Sequence, residues 1–251
     1  MQGFLIALQF LTTIKLAKQT VWTAEDFGGS VRYFPLVGAV LGLIYLAAFY
    51  LTLDFPLYTR ALVLVLLPIL LTGGLHADGL MDTLDGVFSG RDRERMLEIM
   101  KDSRAGSFGV VGILLYLLSC YALLLDNLSL AGERLALTLY ALPIISRLTM
   151  AWVIWLAPYP RPEGIGKAFK DYTNRSTIIF ASLTAALLIA YLGWYALLLL
   201  LVAVPVAFLA AAYLMSKLGG CTGDCYGAIL MLVELALLVA CLASLSLSLA
   251  F

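Results

Sequence analysis

Charge is scarce in this chain. Asp, Glu, Lys and Arg make up only 13% of the 251 residues, and 16 acids cancel 16 bases to a formal net of zero. Without a global basic field there is no case for a nucleic-acid partner, and without an acidic excess there is none for a disordered acidic tail. Histidine occurs once and cysteine four times, as Cys120, Cys221, Cys225 and Cys241. Cys221 and Cys225 lie four apart, which is not a zinc spacing, and no second Cys or His pair accompanies them. The cysteines are therefore read as small packing residues, not as metal ligands or a disulfide. The opening run Met1-Gln-Gly-Phe-Leu has no basic region and no small-residue cleavage site follows it, so a removable signal peptide is not expected.

Apolar residues are what the chain has in excess: 63% of it, with a mean hydropathy of +0.99, against roughly half in a soluble domain. A bilayer core about 30 Å thick takes about 20 apolar residues of helix. Seven such runs occur, at about Phe34 to Leu53, Leu62 to Leu75, Phe108 to Leu125, Leu135 to Ala157, Thr177 to Leu192, Trp194 to Met215 and Ala228 to Leu249. Residues 1–33 mix Gln2, Gln9, Thr12, Thr13 and Lys15 with apolar positions, which suits an interfacial or re-entrant helix. The expected fold is thus all-α, a polytopic helical bundle of about seven membrane spans in one domain covering 1–251, with the lipid bilayer as partner. With the N-terminus in the cytoplasm, 13 of the 16 Lys and Arg fall on that side, among them Lys15, Lys18, Arg32 and Lys217. Arg60 and Arg134 fall on the other side, Arg147 lies inside the fourth span, and the C-terminus is expected outside.

Between the second and third spans the chain reads His76-Ala-Asp78-Gly79-Leu-Met-Asp82-Thr-Leu-Asp85-Gly86. Carboxylates four and then three residues apart share one helix face, where like charges repel unless a counter-cation joins them. No Lys or Arg occurs between Arg60 and Arg91 to interleave with these acids. Hard oxygens favour Mg²⁺ or Mn²⁺. His76 suits a polar supporting role beside them. The segment 87–107 is amphipathic and basic. It reads equally as a positive-inside anchor or as a loop whose Lys101 and Arg104 meet phosphate oxygens.

Arg147 in an apolar span should face the protein interior and pair with an acid or a phosphate. Two glycine-rich islands on the same side, Arg161-Pro-Glu-Gly164-Ile-Gly166 and Gly219-Gly-Cys-Thr222-Gly223-Asp224, are explained as turns, though Thr222 and Asp224 add groups that could complete the site. Carboxylates for Mg²⁺, arginines for phosphate and a membrane setting describe phosphoryl or phosphodiester transfer.

At these residues the sequence resembles the cobalamin synthase (adenosylcobinamide-GDP ribazoletransferase) family. The resemblance runs through Phe10-Leu-Thr-Thr13, Tyr33-Phe-Pro-Leu-Val-Gly38, Asp78-Gly-x-x-Asp82-x-x-Asp85-Gly86, Arg95 to Arg104, Ser146-Arg147, Arg161 with Glu163-Gly-x-Gly166, and Gly219 to Ala228. It implies a Mg²⁺-dependent enzyme of the bacterial or archaeal cytoplasmic (inner) membrane with a cytoplasmic active site. The substrates would be adenosylcobinamide-GDP and α-ribazole or its 5′-phosphate, the products adenosylcobalamin or its phosphate and GMP, in the assembly of the vitamin B12 nucleotide loop. Asp78 and Asp82 would hold Mg²⁺, Asp85 would ligate or take the proton from the attacking hydroxyl, and Arg104, Arg147 and Arg161 would neutralise developing charge. A homo-oligomer, or a complex with other nucleotide-loop enzymes, stays open.

Two rivals differ in testable ways. A CDP-alcohol phosphatidyltransferase expects Asp-Gly-x-x-Ala-Arg, and Asp82 falls where that alanine belongs. A cation-coupled transporter should carry ionisable groups near the midplane and two related halves, whereas nearly all charge here lies at one surface.

Overall fold

A computed structural model describes residues 2–16 and 22–248, with side chains described to residue 245. Lys18, and Leu249 at the end of the seventh expected span, lie outside the described residues. The described chain is helical in every element: α1 (Gln2–Leu11), α2 (Ala24–Ser30), α3 (Phe34–Leu51), α4 (Leu57–Thr72), α5 (Leu75–Phe88), α6 (Arg93–Ile99), α7 (Ser107–Leu130), α8 (Glu133–Leu156), α9 (Ile165–Tyr172), α10 (Arg175–Ile189), α11 (Trp194–Leu218) and α12 (Gly223–Ser248).

Among the described residues six stretches are long and apolar enough to cross a membrane, or seven if the bent pair α4 and α5 is one span. They sort by burial. The most apolar window of α8 is 83% buried, whereas those of α7 and α11 are 17% and 28% buried, so α8 is the axis around which the others pack. Leu114, Leu115 and Leu118 on α7 and Leu197, Leu201 and Leu209 on α11 face outward. A soluble monomer does not expose such a surface, and here it is the lipid-facing belt.

The most extensive helix contact among the described residues, between α3 and α8, is built on glycine. A Cβ on Gly38 or Gly42 would run into the backbone of Pro143 and Ile144 or of Tyr140. Two glycines four apart on α3 let the helix axes approach until van der Waals packing drives their association, as membrane helices require. At the far end of the bundle Arg60 Nη2 donates to Phe49 O (3.3 Å), Arg134 Nη1 to Ser244 O (2.8 Å) and the Tyr50 hydroxyl to Glu133 (2.8 Å). The two bases expected opposite to the rest therefore share one end.

The N-terminal boundary departs from the sequence reading. The first spanning stretch runs from Ala24 to Leu51, through a short 3-10 turn, where Phe34 was the expected start. Gln2, Gln9, Thr12, Thr13 and Lys15 had marked 1–33 as interfacial, but the part from Ala24 on joins the span, and its polar groups are satisfied locally. Thr23 and Asp26 form a reciprocal capping box, Ser30 Oγ donates to Phe27 O (2.6 Å), and Arg32 Nε donates to Gly29 O (3.0 Å). The α1 helix is separate and too short to cross, and it buries Ile6, Ala7, Leu8 and Leu11 against its neighbours.

The second expected span is also revised. Gly73 (φ 62°) and Gly74 (φ 77°) adopt left-handed conformations that end α4, and α5 leaves at 90° to it. At 1.5 Å per residue the 16-residue α4 is only about 24 Å long. The turn delivers the acidic helix to one end of the bundle, across the beginnings of α7 and α12.

Candidate active site

The acidic helix is fixed on two sides by glycines. On one side, a Cβ on Gly79 would stand 2.8 Å from the carbonyl oxygen of Asp224, so only glycine lets the first turn of α12 lie against α5. This contact brings Asp224, 142 to 146 residues distant in sequence from Asp82 and Asp78, beside both. On the other side Gly106 and Gly109, at the start of α7, take the Asp85 carboxylate between them. Their backbone N–H groups donate to Asp85 Oδ2 and Oδ1, each at 2.8 Å, and Asp85 is 8% exposed.

Asp224 is held in turn. Thr222 Oγ1 donates to its Oδ2 at 3.1 Å, and Arg161 Nη1 reaches the same oxygen at 3.3 Å while Nη2 donates to Leu97 O (3.3 Å). Asp82 sits half-buried among these charges. Burial, and then the carboxylates of Asp78, Asp224 and Asp85, push its carboxyl up to about 7, against the pull of Arg161. Among the described residues no three acid, imidazole or thiol side chains converge closely enough to hold a metal as they stand. The donor set nevertheless fits a hard divalent cation: carboxylate oxygens crowded beyond what their local counter-charge balances.

Two openings meet at Asp78 and Lys101. One, of about 500 Å³, is lined by His76, Asp78, Lys101, Arg161, Glu163, Gly166 and Asp224 together with Phe10, Phe34, Tyr159, Phe169 and Tyr226. The other, of about 300 Å³, is lined by Asp78, Asp82, Lys101 and Asp102 to Ala105. Gly166 lets the start of α9 close on this site, since a Cβ there would stand 2.7 Å from the Tyr159 ring and 3.1 Å from Gly223 N.

Asp78, Asp82, Lys101, Arg161, Thr222, Asp224 and His76 thus gather at one place, and three expected residues are engaged elsewhere. Asp85 is spent on the α7 terminus. Arg104 points to solvent, its side chain 87% exposed and paired with Asp102 at 2.6 Å. That hydrogen bond lowers the Asp102 carboxyl to about 2. Arg147, 1% exposed, pairs with Glu234 at 2.8 Å inside the bundle, with Ser146 Oγ bridging to the same carboxylate at 2.9 Å. Arg147 therefore met the acid and not the phosphate of its two expected partners. It lines a separate cavity of about 60 Å³ with Tyr45, Glu234 and His76, a residue that also borders the larger opening.

Glu234 is the residue the sequence reading passed over. The signal was there, since a lone acid in an apolar span asks for a partner as much as Arg147 did. Tyr159 and Tyr226 were also missed, because nothing in their local sequence distinguishes a cavity wall from a core position. The four cysteines are buried among the helices.

Comparison with known proteins gives a consistent picture. A family model described as cobalamin-5-phosphate synthase matches residues 3–242. A relative from Desulfitobacterium hafniense, named adenosylcobinamide-GDP ribazoletransferase, is 38% identical over 95% of this chain and 96% of its own. Similar proteins of the same name come from Pseudomonas syringae (38% identical, 95% and 98% covered) and a Geobacillus strain (35%, 92% and 92%). No solved structure matches.

Proposed function

The chain belongs to the cobalamin-5-phosphate synthase family, and from that premise we propose that it is a Mg²⁺-dependent adenosylcobinamide-GDP ribazoletransferase. It acts at the cytoplasmic face of a bacterial or archaeal inner membrane. A ribose hydroxyl of α-ribazole, or of its 5′-phosphate, forms a new bond to the phosphorus on the cobinamide side of the pyrophosphate. The P–O bond to GMP breaks, GMP departs with the electron pair, and the hydroxyl proton passes to a carboxylate at the rim.

The observation that carries this reading is the crowding of Asp78, Asp82 and Asp224 beside Arg161 and Lys101 at the mouth of a cavity of about 500 Å³. Asp78 and Asp82 hold the cation, with Asp224 contributing across the contact between α5 and α12. Bound there, Mg²⁺ would neutralise pyrophosphate charge and polarise the phosphorus. Arg161, placed by Asp224 and the Leu97 carbonyl, and Lys101 meet the remaining phosphate oxygens. Asp85 anchors α7 so that the loop bearing Lys101 stays over the acids, and Arg147 with Glu234 holds α8 to α12.

The test is product identity. Purified protein in liposomes, given adenosylcobinamide-GDP with either α-ribazole or its phosphate, should yield the matching cobalamin by mass spectrometry. A lipid product from a CDP-alcohol, or cation flux without any cobalamin, would replace this reading.

A further inference from the structure

The chain leaves α8 through Ala157-Pro-Tyr159-Pro-Arg161-Pro-Glu163 before α9 begins at Ile165. Proline fixes φ at 158, 160 and 162, and each proline keeps the residue before it extended. On an extended backbone residues two apart point to the same side, and Tyr159 and Arg161 both line the larger cavity. The strap that follows is wound over the Tyr159 ring. A Cβ on Gly164, at φ 128°, would stand 2.8 Å from the Tyr159 hydroxyl. One on Gly166 would stand 2.7 Å from the ring edge and 3.1 Å from the hydroxyl. Both glycines of Glu163-Gly-x-Gly166 thus make room for a single side chain.

The same point on Gly166 lies 3.1 Å from Gly223 N, so the hydroxyl stands at the first turn of α12, beside the residue that precedes Asp224. Burial is the strongest influence on the phenol and raises it above its ordinary value, with the charges of Arg161 and Asp224 also acting on it. At neutral pH it is therefore an uncharged hydroxyl.

Arg161 needs such a neighbour. Nη1 reaches Asp224 and Nη2 reaches Leu97 O, each at 3.3 Å, which is long for a bond from a charged group. Nε is buried without a hydrogen-bond partner among the described residues. Once Nη1 turns from Asp224 to a phosphate oxygen, only Leu97 O would still aim the guanidinium. Resting on the ribazole-transfer reading, we propose that Tyr159 is a positioning residue for Arg161. Its hydroxyl accepts from Nε and holds the guanidinium toward the substrate pyrophosphate while Nη1 exchanges Asp224 for phosphate. The ring is the post on which the Glu163–Gly166 strap rests, the hydroxyl supplies the aim, and Tyr159 itself need not touch substrate.

The experiment is a double-mutant cycle between Tyr159→Phe and Arg161→Lys. Tyr159→Phe keeps the ring and removes the hydroxyl, so its thermal unfolding should match the wild type. Arg161→Lys keeps the charge and has no Nε to offer. GMP binding is measured by equilibrium dialysis without acceptor or Mg²⁺, and turnover with adenosylcobinamide-GDP and α-ribazole. In Tyr159→Phe, kcat/KM for adenosylcobinamide-GDP should fall about tenfold and GMP should bind about fivefold more weakly, with the α-ribazole KM within about twofold of wild type. In the Arg161→Lys background the same substitution should change either quantity by less than about twofold, because its effect runs through the guanidinium. A loss of equal size in both backgrounds overturns the positioning role, and so does a Tyr159→Phe variant that behaves as wild type while wild type turns over normally. In both cases the transferase reading stands. An α-ribazole KM that rises as much as that of the corrinoid substrate leaves Tyr159 a structural post only and also overturns the inference. Folded wild-type protein that releases no GMP removes the transferase reading and this inference with it.

Discussion

Replacing Asp85 by asparagine separates two roles that the sequence could not tell apart. In the structure both carboxylate oxygens are occupied at 2.8 Å by the N–H groups of Gly106 and Gly109, and the side chain is 8% exposed at the positive end of α7. Asparagine retains one acceptor and turns an NH₂ toward the other glycine N–H. It loses one charge-assisted bond, leaves one buried donor unpaired and weakens the other bond. At about 1.5–3 kcal/mol for a bond to a charged group, the variant should be destabilised by about 2–4 kcal/mol. All four cysteines are buried, so a thiol-reactive fluorophore reports unfolding in detergent. The melting curve of Asp85→Asn should shift clearly downward, with residual turnover below the transition. Asp82→Asn is the contrast: it removes a charge that burial and three neighbouring acids disfavour, so stability should hold or rise while turnover disappears. If Asp85→Asn melts like wild type and yet is inactive, the capping argument is wrong and Asp85 belongs to the chemistry.

Further outcomes follow from the same geometry. Asp82, raised to about 7, binds a proton that a cation must displace. The apparent Mg²⁺ affinity should therefore rise with pH up to about 7, by at most about tenfold per unit for one proton, and then level off. A flat profile between pH 5.5 and 7 would contradict the crowding. The linkage sign for stability is the reverse: without cation, Asp82 lowers stability as pH rises through its window from about 4 to 7, and saturating Mg²⁺ should cancel that loss in the melting assay. Glu234→Ala leaves Arg147 charged and unpaired at 1% exposure, which should destabilise the protein by about 3–5 kcal/mol, with a double replacement of both residues by apolar ones recovering most of it. Gly79→Ala places a methyl 2.8 Å from Asp224 O, so turnover should fall at least tenfold while membrane insertion is unchanged.

The acid face was legible because spacing alone settles it. Asp78, Asp82 and Asp85 four and three apart lie together on any helix, and the glycines flanking them marked close approach before the partner was known. The spans were legible for a similar reason, since hydropathy is a sum over about 20 residues and tolerates local error. What the sequence left open was the identity of tertiary partners. Arg147 demanded a counter-charge, but its partner lies 87 residues on in α12, and choosing between an acid and a phosphate required that packing. Asp85 looked equivalent to its neighbours until the start of α7 supplied two N–H groups. Arg104 looked like a phosphate ligand, but the acid two residues before it captured it at the surface. The first span began earlier than expected because Ser30 and Arg32 are satisfied by the preceding helical turn.

The most direct measurement is GMP release from purified protein in liposomes given adenosylcobinamide-GDP and α-ribazole, with and without Mg²⁺, for wild type and Asp82→Asn. The account predicts Mg²⁺-dependent GMP release matched by cobalamin formation in the wild type, and neither in the variant. Equal release from Asp82→Asn, or release from wild type that ignores Mg²⁺, would contradict the assignment of the acidic helix as the chemical centre.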